Sequence, residues 1–144
     1  MGEKQVSVSI DPTVHGLVQF AAKDRKLQRK WPWKQKEIVA IAVGQWIRKH
    51  AGAGVDVERL EEAEPDPPKK AERGGEPLPF ERDLFEEGSG TLSFKTRKYV
   101  EAAFERVCLY TSTKKGKAVE KALRAWLRQN GYGETLAALE AEEV

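Results

Sequence analysis

Only one cysteine, Cys108, occurs in the chain, which excludes an internal disulfide and any zinc site built on paired thiolates. Histidine is almost as scarce: His15 and His50 are the only two, and they weaken an imidazole-based metal site further. No apolar run approaches the roughly 18 to 20 residues that span a bilayer, and the opening segment MGEKQVSVSI has no hydrophobic signal core. A reduced, soluble, cytoplasmic protein is therefore expected. A glycine-rich phosphate loop, an acid pair at defined spacing and a nucleophile elbow are also missing, so no catalytic, cofactor or metal residues are assigned and an enzyme is not expected. At 144 residues the chain buries one modest core, or two small ones that need each other.

Net charge is nearly absent too, at +2, but the small total conceals a segregation. Residues 1–50 hold ten Lys and Arg against four Asp and Glu, and residues 91–130 hold ten against three. Residues 51–90 reverse this with five against twelve, and residues 131–144 carry four acidic side chains and no Lys or Arg. A single basic block is commonly solvated surface. Two blocks with the same internal order ask for a common explanation.

The first block opens with Val6, Val8 and Ile10 alternating with Gln5, Ser7 and Ser9, the pattern of a strand with one buried face. Asp11 then Pro12 read as an N-cap and first helical residue, and Val14, Leu17, Val18 and Ala21 place one apolar stripe on the helix that follows. After the basic turn Arg29-Lys30-Trp31-Pro32-Trp33, a second helical stripe runs through Ile38, Val39, Ala42, Val43, Trp46 and Ile47, with a stop expected near Gly52.

The second block repeats this plan. Leu92 and Phe94 alternate with Thr91, Ser93 and Lys95, Thr96 is the expected cap, and Val100, Ala103, Phe104 and Val107 form the first stripe. The second stripe returns as Ala118, Val119, Ala122, Leu123, Trp126 and Leu127, each 80 positions beyond its counterpart, with Val, Ala and Trp recurring unchanged. The strands align at 84, Val8 with Leu92 and Ile10 with Phe94, which assigns about four extra residues to the inter-helix turn of the first copy.

These features resemble the ribbon-helix-helix family of DNA-binding proteins, whose second helix carries an E-L/I-x-x-A-L-x-x-[YW]-L core. Glu37-Ile38 through Ala42-Val43 to Trp46-Ile47 is similar to that core, as is Lys117-Ala118 through Ala122-Leu123 to Trp126-Leu127. The resemblance implies a mainly α fold with a two-stranded antiparallel β-ribbon, formed here by a tandem pseudo-dimer within one chain. Residues 1–52 are the first copy, 53–90 an acidic Pro/Gly-rich linker, 91–131 the second copy, and 132–144 an acidic tail open to a helical form. Leu78, Phe80, Leu84 and Phe85 suggest that part of the linker packs on the body.

Double-stranded DNA is the implied partner. In the family the ribbon enters the major groove, which assigns base reading to the outward residues Gln5, Ser7, Ser9, Thr91, Ser93 and Lys95. No arginine falls on these faces, and because the faces differ, an imperfectly palindromic or asymmetric target is expected. Backbone amides at the start of the second helix clamp phosphates in the family. The matching positions are Trp33, Lys34, Gln35 and Lys36, then Thr113, Lys114, Lys115 and Gly116, with Arg29, Lys30 and Lys117 adding charge. Asp11 is read as a helix cap rather than a base contact, Trp46, Trp126 and Cys108 as core, and both histidines as surface residues.

The resulting roles are a transcriptional repressor or an accessory factor in plasmid partition or conjugation, an architecture similar to tandem relaxosome proteins, with copies binding side by side on DNA. A second reading is an adaptor of antitoxin type, whose acidic linker and tail, Glu134 to Glu140, dock a protein partner. The acidic segments also offer competition with DNA for the basic faces.

Overall fold

The computed structural model describes residues 3–50, 59, 74–81 and 85–142, with only the backbone of Glu3 and Glu142. Its order is β1 (Glu3–Ser9), α1 (Pro12–Gln28), α2 (Gln35–Lys49), β2 (Thr91–Arg97), α3 (Lys98–Tyr110), α4 (Lys115–Gln129) and α5 (Gly133–Glu142). The fold is mainly helical with a two-stranded antiparallel sheet. No described helix is long and apolar enough to cross a membrane.

Alternation decides how the strands lie. Val6 pairs with Phe94 and Val8 with Leu92, all four buried, while Ser7 pairs with Ser93 on the opposite face. Slipping either strand by one residue would turn its apolar set outward, so the pattern itself specifies the register. Beneath the apolar face α2 and α4 pack on each other, and each also touches the strand of the other block, α2 on β2 and α4 on β1. The twelve stripe residues of these two helices are all buried, and both blocks contribute to one core. Trp46 meets Phe104 edge-on at 5.8 Å, and Arg25 lies over the Trp126 ring at 5.3 Å.

Helix α1 starts as its sequence implies: the Asp11 carboxylate accepts a hydrogen bond from the Thr13 amide at 2.8 Å, and Pro12 occupies the first turn. Helix α3 starts differently. Thr96, the expected cap, lies in β2 opposite Lys4, and Arg97 takes the cap position without a side-chain bond. The ladder continues to the pair Glu3 and Arg97, so the chain stays extended through Thr96. The stop expected near Gly52 falls earlier, with α2 ending at Lys49 and His50 capping it; Gly52 lies outside the described residues.

The alignment of the blocks also changes. A displacement of 86 carries Val14 onto Val100 and Val18 onto Phe104, and it carries Ser7 onto Ser93, residues that face each other across the ribbon. The first block's surplus is mostly helical, since α1 has 17 residues and α3 has 13. The connection after α1 is longer by only two, 29–34 against 111–114. Ala103, expected on the stripe, is half-exposed.

Phe80 packs edge-on against Phe20 at 5.3 Å and lies 5.7 Å from Phe85, so this part of the linker does lie on the body. Leu84 falls outside the described residues. Buried Asp24 anchors two segments at once: it accepts from the Leu78 amide at 2.7 Å and from the Tyr132 hydroxyl at 2.6 Å. Burial and this carboxylate push the Tyr132 phenol well above its ordinary pKa. The tail does form a helix, α5, which inserts Leu136 and Leu139 into the core and sets Glu140 3.2 Å from Arg124.

His15 is not at the surface. The returning segment 85–90 covers it, and its Nδ1 accepts from the Gly90 amide at 3.3 Å. Burial lowers its pKa, because charging the ring there forfeits hydration. Gly90, at φ +82, turns the chain into β2 while its carbonyl accepts from the Ile10 amide at 2.8 Å.

Candidate nucleic-acid interface

Gln5, Ser7, Ser9, Thr91, Ser93 and Lys95 are all exposed on one face of the ribbon. The central Ser7 and Ser93 hydroxyls share a hydrogen bond of 2.8 Å; Gln5 stands opposite Lys95, and Ser9 opposite Thr91. The longer β2 adds a residue that the sequence reading missed. Arg97 continues the outward row of Thr91, Ser93 and Lys95, and it is exposed. The alternation carries its signal, but a cap at Thr96 ends the expected strand one residue short of it.

Helix starts flank this face. Lys34 and Lys114 occupy the N-cap positions of α2 and α4 in extended conformation, and neither makes a side-chain capping bond. A helix start without a cap leaves amides open and carries partial positive charge. Lysines there raise the local potential instead of offsetting it, so both ends suit an anion. Lys36, near the start of α2, lines a groove with Gln5 and Lys95, and Gln35 beside it is half-buried. At α4 a glycine governs the approach: a Cβ on Gly116 would lie 2.4 Å from the Ser9 carbonyl oxygen, so only glycine lets this helix start abut β1.

The remaining phosphate candidates are less uniform. Thr113 is committed to the turn, its amide donating to the Cys108 carbonyl at 2.9 Å and its hydroxyl accepting from Thr111 at 2.8 Å. Lys115 donates to Glu105 at 2.8 Å, a contact that raises the pKa of the lysine and lowers that of the exposed carboxylate. Lys117 is exposed, 3.6 Å from Glu120. Arg29 and Lys30 are exposed at the far end of the α1–α2 connection from α2.

That connection is braced from within. Arg25 donates to the carbonyls of Pro32 and Trp31 at 2.8 and 2.6 Å, and the Trp31 indole donates to Glu37 at 3.0 Å. Trp31 therefore packs, while Trp33 is half-buried. Cys108 is a buried thiol whose pKa burial raises.

No family model, curated protein or solved structure matches the chain. The class defined by the described residues is a mainly helical protein with one two-stranded antiparallel sheet, whose outward face is polar and uncovered.

Proposed function

We propose that the chain is a ribbon-helix-helix protein that binds double-stranded DNA as a tandem, single-chain pseudo-dimer. Its ribbon enters the major groove, and the starts of α2 and α4 grip the flanking phosphates. The observation that carries this reading is the paired ribbon itself: seven exposed polar side chains on one face, four buried apolar ones on the other, and an uncapped, lysine-bearing helix start at either side. The major groove admits such a ribbon and offers a distinct pattern of donors and acceptors for each base pair. A two-stranded ribbon is marginal in water without a packed helical layer, and covalent linkage makes its assembly intramolecular. The cellular role that fits is repression of transcription, or an accessory part in plasmid partition or conjugation, performed on the nucleoid.

Fluorescence anisotropy with a labelled duplex over a salt series tests this. Affinity should fall steeply as salt rises, with a slope of about −0.9 per neutralised phosphate on a logarithmic plot. Lys114→Ala should reduce that slope by about one, whereas Lys95→Ala should mainly relax base preference. Binding that ignores salt, or no binding to any duplex, would overturn the reading.

A further inference from the structure

The outward side chains are unevenly distributed along the ribbon. The register sets Gln5 beside Lys95 at one end and Ser9 beside Thr91 at the other, with the Ser7 and Ser93 pair between them. Arg97 extends the first end by one outward position, opposite Glu3, and Lys36 joins Gln5 and Lys95 in lining one groove. Glu37 lines it too, with its carboxylate held by the Trp31 indole. At the second end, the adjoining helix start presents Gly116, and the outward groups of the strands are hydroxyls.

Resting on the proposed DNA-binding function, we infer that the ribbon reads bases through one end only. Gln5 and Lys95, flanked by Arg97, select one half of the target, and the Ser9 and Thr91 end holds the other half with little base preference. The chemistry of the side chains sets this division. Glutamine pairs bidentately with adenine N6 and N7 and lysine reaches guanine O6 or N7, whereas serine and threonine accept or donate to several edges and discriminate weakly. The preferred half-site therefore presents neighbouring adenine and guanine edges in the major groove. A scaffold with near two-fold repetition thereby acquires a direction along its duplex, its Gln5 and Lys95 end always on the selected half.

Selection of bound duplexes from a randomised pool, using the full chain, tests the inference. Base preference should be confined to one half of the recovered motif. Gln5→Ala and Lys95→Ala should each erase preference at one position and lower affinity for the selected duplex roughly five- to hundred-fold. Ser9→Ala and Thr91→Ala should change it by no more than a few-fold. All four side chains are exposed, so melting curves should match the parent. The double variant Ser9→Lys/Thr91→Gln places the long pair at the other end and should yield two similar half-sites. Equal preference in both halves of the parent motif, or a motif unchanged by Gln5→Ala and Lys95→Ala, would overturn the inference while leaving DNA binding intact. Absence of duplex binding would overturn the proposed function and this inference with it.

Discussion

The two halves of the molecule share a plan but distribute their supports differently. In the first half α1 has 17 residues, a side-chain cap at Asp11, a turn braced by Arg25, and returning chain laid along its side. In the second half α3 has 13 residues and no side-chain cap, and its last turn leaves Leu109 83% and Tyr110 68% exposed. The second half is instead supported at α4, where α5 packs. The lesson is that the pairing of α2 with α4 and β1 with β2 defines the shared core, while each half's first helix depends on whatever other chain covers it.

Substitutions at equivalent positions can break or sharpen this contrast. The largest effect is expected at the matched tryptophans, where Trp46→Ala and Trp126→Ala should each cost about 3–5 kcal/mol in urea unfolding. Each ring has two neighbours, His50 and Phe104 on Trp46 and Arg25 and Tyr132 on Trp126, so Trp126 should lose slightly more only because it is the more deeply buried, 1% exposed against 7%. A larger loss at Trp46 would mean that depth of burial does not rank the two halves.

Next come Asp24 and Tyr110, related by the displacement of 86. Asp24→Ala removes the acceptor of the Leu78 amide and the Tyr132 hydroxyl and should cost about 2–3 kcal/mol. It should also hasten proteolysis of the linker and tail. Tyr110→Ala should stay within about 0.5 kcal/mol. At the two cap positions, Asp11→Ala should cost about 1 kcal/mol and Arg97→Ala a few tenths, as read by thermal unfolding.

The smallest effect is a slope against pH. His15 has a folded-state pKa below its ordinary 6.5, so the unfolded chain binds the proton more tightly. Its contribution is fully present above pH 6.5 and is lost as pH falls from there toward the lowered value. His15→Gln should flatten that part of the Tm profile. An unchanged slope would mean that His15 does not report on the cover over α1.

Much of this was readable because period-two and period-3.6 patterns are local. Val6, Val8, Leu92 and Phe94, and all twelve positions of the α2 and α4 stripes, face inward as their spacing implies. The features that escaped depend on distant chain. His15 is buried only because residues 85–90 return over it. Arg97 joins the outward row because β1 supplies a partner as far as Glu3, and the same pairing keeps Thr96 from capping. Alignment of the stripes alone assigns the first half's surplus to loop, whereas at the displacement of 86 that the ribbon sets it consists of four helical residues and two of connection. At the candidate interface the outward row was legible from parity, but the engagement of Thr113 and Lys115 required the fold of the α3–α4 turn.

Strands β1 and β2 belong to one chain although Ser7 and its partner Ser93 stand 86 residues apart. A ribbon assembled from two identical chains repeats every mutation and falls apart on dilution. This one exists at any concentration, and its strands are encoded separately, so a change at one edge need not appear at the other. Selection can therefore tune each edge on its own.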